Sequence, residues 1–115
     1  MSNFVFVFRG GSVEYPSLSP SEMQAHMKKW HDWSNSLAQA GRRLNRAPLD
    51  PAGKTVRGRE RMVTDGPYAE SKDLVTGHLV IAADSLEHAT ELAMECPVFD
   101  YGASVEVRPV FETEA

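Results

Sequence analysis

Cysteine is almost absent. Cys96 is the single one among 115 residues, so no internal disulfide can form and a reducing, cytoplasmic setting is expected. No apolar run approaches the roughly 18 to 20 residues that span a bilayer, so no membrane association is expected. The opening residues Met1-Ser2-Asn3-Phe4-Val5 carry neither the basic stretch nor the small-residue cleavage site of a signal peptide. Phosphate-loop chemistry has no sequence support. Gly10-Gly11 is followed by no Lys-Ser/Thr pair, and a three-glycine dinucleotide fingerprint is missing. Histidines do not cluster either: His26 and His31 stand five apart on a helical segment, which puts them on different faces. They are expected to be surface residues, and neither a metal nor a cofactor is expected.

What is present is an ordinary globular composition, with 42% hydrophobic and 24% charged residues, which excludes disorder and collagen-like repeats. The length fits one domain spanning residues 1–115. The net charge is −4, and its sign changes along the chain. Seven of the twelve basic residues fall between Arg42 and Arg61, whereas from Asp84 onward eight acids face a single base, Arg108. No aromatic is interleaved in the basic stretch, so it reads as a solvated hairpin and not as a nucleic-acid footprint.

Asn3 to Arg9 alternates Phe4, Phe6 and Phe8 with Val5 and Val7. A strand apolar on both faces belongs in the middle of a sheet. Ser19-Pro20-Ser21-Glu22 supplies a serine N-cap, a proline at the first helical position and the glutamate of a capping box. Met23, Met27, Trp30, Ser34, Leu37 and Ala38 continue the helix, and Gly41 is placed to end it in a left-handed conformation. An irregular stretch with Pro48 and Pro51 follows, then a small hairpin of Lys54 to Arg57 and Arg61 to Thr64 around Gly58-Arg59. Asp65-Gly66-Pro67 forces a turn.

Leu74 to Ala82 reads as a strand, with Leu79 and Ile81 on one face and His78 and Val80 on the other. Asp84-Ser85-Leu86-Glu87 opens a second helix with Leu86, Ala89, Leu92, Ala93 and Cys96 at helical spacing, stopped by Pro97. Ser104 to Phe111 is a final strand, with Val105, Val107 and Pro109 opposite Glu106 and Arg108. The order predicts an α+β, ferredoxin-like βαββαβ fold with an antiparallel sheet and both helices on one face. The uncovered face, apolar in part, predicts a homodimer.

Strand alternation puts His78, Glu106 and Arg108 on that uncovered face. Arg108 suits a carboxylate or phenolate ligand, Glu106 suits bracing Arg108, and His78 suits general acid or base work. The alternative for these three is a structural ion pair with a hydrogen-bonded histidine at the dimer interface. Asp65, with Tyr68, Glu70 and Lys72 close behind it, is a second polar group, at the mouth of the same cleft. Its alternative is a turn-fixing aspartate. Cys96 reads as a buried, inert thiol.

Phe4 to Gly11, Trp30 and Trp33 with Ala40-Gly41, Leu49-Asp50-Pro51, Gly53-Lys54, and the block Val63-Thr64-Asp65-Gly66-Pro67-Tyr68-Ala69-Glu70-Ser71-Lys72 form a set. With Cys96-Pro97, Gly102 and Val105 to Val110 they resemble, over nearly the whole chain, the YCII-related family and its DGPF branch. That resemblance implies a dimeric α/β barrel. It also implies either a small-molecule enzyme, as in a dehydrochlorinase of aromatic breakdown, or an accessory role beside extracytoplasmic-function sigma factors. The helix histidine of the broader family falls at Trp30, with His31 one place out, and its Asp-Pro pair falls at Cys96-Pro97. Tyr68 stands for the phenylalanine of the name motif, and Asn45-Arg46-Ala47 where glycines are common.

Two functions therefore stand open. In one, a small anionic or aromatic metabolite binds in the cleft between the sheets of the homodimer, with cofactor-free lyase- or isomerase-like chemistry. Asp65 and His78 would be the catalytic pair there, and Arg108, Glu106, Tyr68, Glu70 and Lys72 the substrate-binding residues. In the other, a non-catalytic module docks on a signalling protein partner.

Overall fold

The computed structural model describes residues 1–10, 18–50, 52–66 and 74–111. Along the chain run β1 (Ser2–Arg9), α1 (Pro20–Gln39), β2 (Arg43–Pro48), β3 (Lys54–Arg57), β4 (Met62–Asp65), β5 (Val75–Ala83), α2 (Leu86–Met94) and β6 (Ser104–Pro109). A short 3-10 turn, Pro97–Tyr101, joins α2 to β6. Four strands form one antiparallel sheet in the order β2-β5-β1-β6, and β3 and β4 pair separately. This is a ferredoxin-like α+β arrangement, with β1 in the sheet interior as its two apolar rows require.

The Phe row of β1 meets the helices. Phe4, Phe6 and Phe8 are buried with Leu79 and Ile81 of β5, Trp33 and Leu37 of α1, and Ala89 and Ala93 of α2. Val105 and Val107 of β6 pack against the same cluster. Both helices therefore lie on one face. Phe6 stacks on Trp33 at 6.2 Å between centroids, and Phe8 meets Trp30 edge-on at 5.2 Å. Burying each such aromatic contributes on the order of 1.5 to 3 kcal/mol. The Val row of β1, with Val80, is left on the other face.

Local signals act where the sequence puts them. Ser19 accepts from the Glu22 backbone and the Glu22 carboxylate accepts from the Ser19 N–H, closing the capping box. At the far end Gly41, at φ +73°, lets Gly41 N bond Ala38 O and Arg42 N bond Leu37 O, a Schellman ending. Ser85 caps α2.

The structure corrects several expectations. Residues 43–48 are not irregular: they form β2, the edge strand of the main sheet, while the hairpin stands apart from it. Arg-Leu-Asn-Arg-Ala-Pro has no β-branched or aromatic residue to announce a strand. Backbone pairing with β5 makes it one, across a register shift between Arg43 and Asn45. Arg61 belongs to the hairpin turn, at φ +53°, so β4 begins at Met62. The last strand stops at Pro109 and not at Phe111. Leu86, expected on the apolar stripe of the second helix, is exposed, whereas Ala89, Ala93 and Cys96 are buried.

Candidate functional site

The buried side of α1 differs from the predicted stripe. His26, Trp33, Ser34 and Leu37 are buried, Trp30 is half-buried and Met27 is exposed. His26, expected at the surface, is only 2% exposed. Its Nε2 accepts the indole N–H of Trp30 at 2.9 Å. The neutral ring must then carry its proton on Nδ1, a tautomer assigned from that hydrogen bond. Burial is the largest influence on this imidazole and lowers its pKa; Asp100 opposes that shift and Lys29 adds to it. The signal was in the sequence: His26, Trp30, Trp33 and Leu37 fall at i, i+4, i+7 and i+11, one stripe of a helix.

Beneath this stripe, between α1 and the β2–β5 side of the sheet, lies a cavity of about 290 Å³. Its walls are mainly apolar: Phe8, Met23, Met27, Trp30, Trp33, Leu79 and Val98. Polar side chains come from His26, His31, Ser34 and Arg46; Thr76 and His78 of β5 border it, and among the described residues no carboxylate lines it. Arg43 donates to the Ser34 hydroxyl at 2.7 Å and so ties β2 to α1 across one end. Gly77 sets how closely β2 approaches β5: a Cβ there would lie 3.0 Å from the Ala47 carbonyl oxygen and 3.3 Å from Pro48 Cα. The cavity depends on β2 being a strand, which is why it was not anticipated. Arg46 enters it for the same reason.

The residues expected to form the site are distributed differently. His78, Glu106 and Arg108 do alternate away from the buried residues of β5 and the half-buried Val105 and Val107 of β6. Val7 lies between His78 and Glu106 across the sheet, and Val5 lies opposite Arg108. The Glu106 carboxylate is 3.7 Å from Arg108 Nε and also accepts from Arg9 Nε at 3.3 Å, a partner not anticipated. Asp65 is on the separate hairpin, 93% exposed, paired with Lys54 at 2.6 Å. Of the expected residues only His78 borders the cavity. Tyr68, Glu70 and Lys72 lie outside the described residues.

Cys96 is buried just after α2, and burial pushes its thiol up to about 12, far from a nucleophile's range. Among the described residues no group of three or more His, Cys, Asp or Glu side chains could hold a metal ion. No helix among them is long and apolar enough to cross a membrane.

The family model for the YCII-related domain matches residues 9–114. The chain belongs to the YCII-related family. No curated protein matches it. In this YCII-related chain the helix position where the broader family carries a histidine holds Trp30, and His26, one turn earlier, brings an imidazole to that indole. Cys96-Pro97, which stands where the Asp-Pro pair was expected, contributes a buried thiol and the start of the 3-10 turn.

Proposed function

We propose that the protein binds a small metabolite with a flat or apolar body and one anionic group, in the cavity beneath α1. The observation that carries this reading is the make-up of the wall among the described residues: aromatic and thioether side chains, one arginine, the imidazoles of His26 and His31, and no carboxylate. An apolar body gains from burial against Trp30 and Met23, while an anion finds the Arg46 guanidinium as a permanent positive charge, the only one among the described lining residues. His31 is the imidazole suited to proton transfer, because the His26 Nε2 is already engaged and burial disfavours its charging, while the His78 side chain alternates to the other face of the sheet. Any catalysis is then cofactor-free acid–base chemistry.

The protein acts as a homodimer joined through the open face of the sheet, around Val5, Val7 and Val80. The Arg9–Glu106–Arg108 cluster serves that interface as an ion-pair network, and the Asp65–Lys54 pair serves the hairpin. This reading is supported by the half-buried apolar row of Val5, Val7 and Val80, which no described element covers on the face away from the helices, and by the distance of 3.3 to 3.7 Å over which both arginines reach one carboxylate.

The test is thermal denaturation against benzoate, phenylacetate and cinnamate, with benzamide and benzyl alcohol as neutral controls. Ligand at a hundredfold excess over its Kd adds about 2.7 kcal/mol, a clear rise in Tm. The carboxylates should stabilise the wild type and lose that effect in Arg46→Ala. Equal stabilisation by the neutral controls would remove the anionic requirement. No stabilisation by any compound would sink the pocket reading and favour a non-catalytic module docking on a signalling partner.

A further inference from the structure

The hairpin of β3 and β4 is an arm in search of support. A two-stranded hairpin is marginal in water unless something packs on it, and among the described elements neither β3 nor β4 packs extensively on any except the other. Its base is tied by Gly66 N to Gly53 O and by the Thr55 hydroxyl to Gly66 O. The register places Val56 directly opposite Val63, so the two share a face, and they are 63% and 56% exposed. Residues 54–65 carry four basic and two acidic side chains, with Arg59 and Arg61 exposed in the turn.

The outer side of α2 has the matching features. Leu86, Thr90 and Met94 form one exposed row, with Met94 70% exposed, and Glu87, Glu91 and Glu95 form the row beside it. Residues 84–95 carry four acids and neither lysine nor arginine. An exposed apolar row flanked by one sign of charge meets an exposed apolar pair flanked by the other. We propose that the hairpin arm of one copy docks on the outer face of α2 of another copy. Val56 and Val63 lie on Met94, and Arg59 and Arg61 face Glu91 and Glu95. The contact is heterologous and separate from the open sheet face, so it links copies beyond the proposed sheet-face dimer. A single hairpin on a helix of nine residues is a small contact, so the association is reversible, concentration-dependent and weakened by salt.

The experiment is sedimentation velocity at low salt on the full chain and two charge-reversed variants, Arg59→Glu/Arg61→Glu on the arm and Glu91→Lys/Glu95→Lys on α2. Each variant alone should associate beyond the sheet-face dimer at least tenfold more weakly than wild type, and an equimolar mixture of the two should regain that association. A second measurement mixes Val63→Cys with Met94→Cys protein under mild oxidation; an inter-chain disulfide should form between the two variants. Cys96 stays silent because it is buried. In Val7→Lys protein, with the sheet-face dimer removed, the arm contact should persist, which separates this proposal from the dimer. A wild type without self-association, charge reversals without effect, mixing that fails to restore association, or the absence of the mixed disulfide would each overturn it.

Discussion

Trp30 donates its indole N–H to Nε2 of His26 at 2.9 Å, one helical turn back, at the edge of the cavity. The pair fixes the tautomer of the histidine and the orientation of the indole together, and both line the cavity. Protonating His26 would set two N–H groups against each other, in a place where burial already disfavours the cation.

This gives a pH dependence with a definite sign. The folded pKa of His26 lies below its ordinary value of 6.5, so between the two values the unfolded chain binds more protons and stability rises with pH. The contribution is fully present above pH 6.5 and is lost as the pH falls from there through the folded value. Tm measured from pH 8 to pH 4.5 should decline over that window, and His26→Gln should flatten the decline. An equally steep decline in His26→Gln would assign it to other groups. His26→Ala should also cost about 1 to 3 kcal/mol in urea denaturation, because the Trp30 N–H is left without its acceptor.

Gly77→Ala tests the close approach that holds β2. The added methyl meets the Ala47 carbonyl oxygen at 3.0 Å, and this neighbour is backbone, so β2 has to shift. A loss of about 1 to 3 kcal/mol is expected. Faster amide exchange should be confined to residues 43–48. Stability equal to wild type would mean that the edge strand yields freely.

Cys96 should be inert in the folded protein. With its thiol raised to about 12 by burial, an aromatic disulfide reagent at pH 8 should leave it unmodified until urea unfolds the chain, whereupon one thiol per chain reacts. Rapid modification under native conditions would show that the segment after α2 opens readily.

Val7→Lys tests the dimer. Val7 lies opposite Glu106, so a lysine has a partner within the subunit while adding a charge to the open face. Light scattering should change from dimer to monomer, with circular dichroism unchanged. A dimer that survives the substitution would exclude the open sheet face as its interface.

Much of this protein is written locally. The Ser19–Glu22 capping box, the Gly41 ending, the Ser85 cap and the double apolar alternation of Phe4 to Phe8 are short-range patterns whose physics acts within a few residues, and each lies where its pattern implied. The faces of β5 and β6 followed from alternation alone. Three decisions needed the third dimension. Residues 43–48 become a strand because β5 offers a free edge, not because their side chains favour it. His26 is buried because α1 is turned so that Trp30 and Trp33 meet Phe6 and Phe8, a choice that the Met23 and Met27 stripe had obscured. Once both are in place, a cavity opens between them and brings Arg46 together with His26 and His31, residues from separate elements that no spacing along the chain connects. Local sequence determines the elements and their faces, since those depend on neighbours a few residues away; packing alone decides the site, because it is made of contacts between parts of the chain that are distant in sequence.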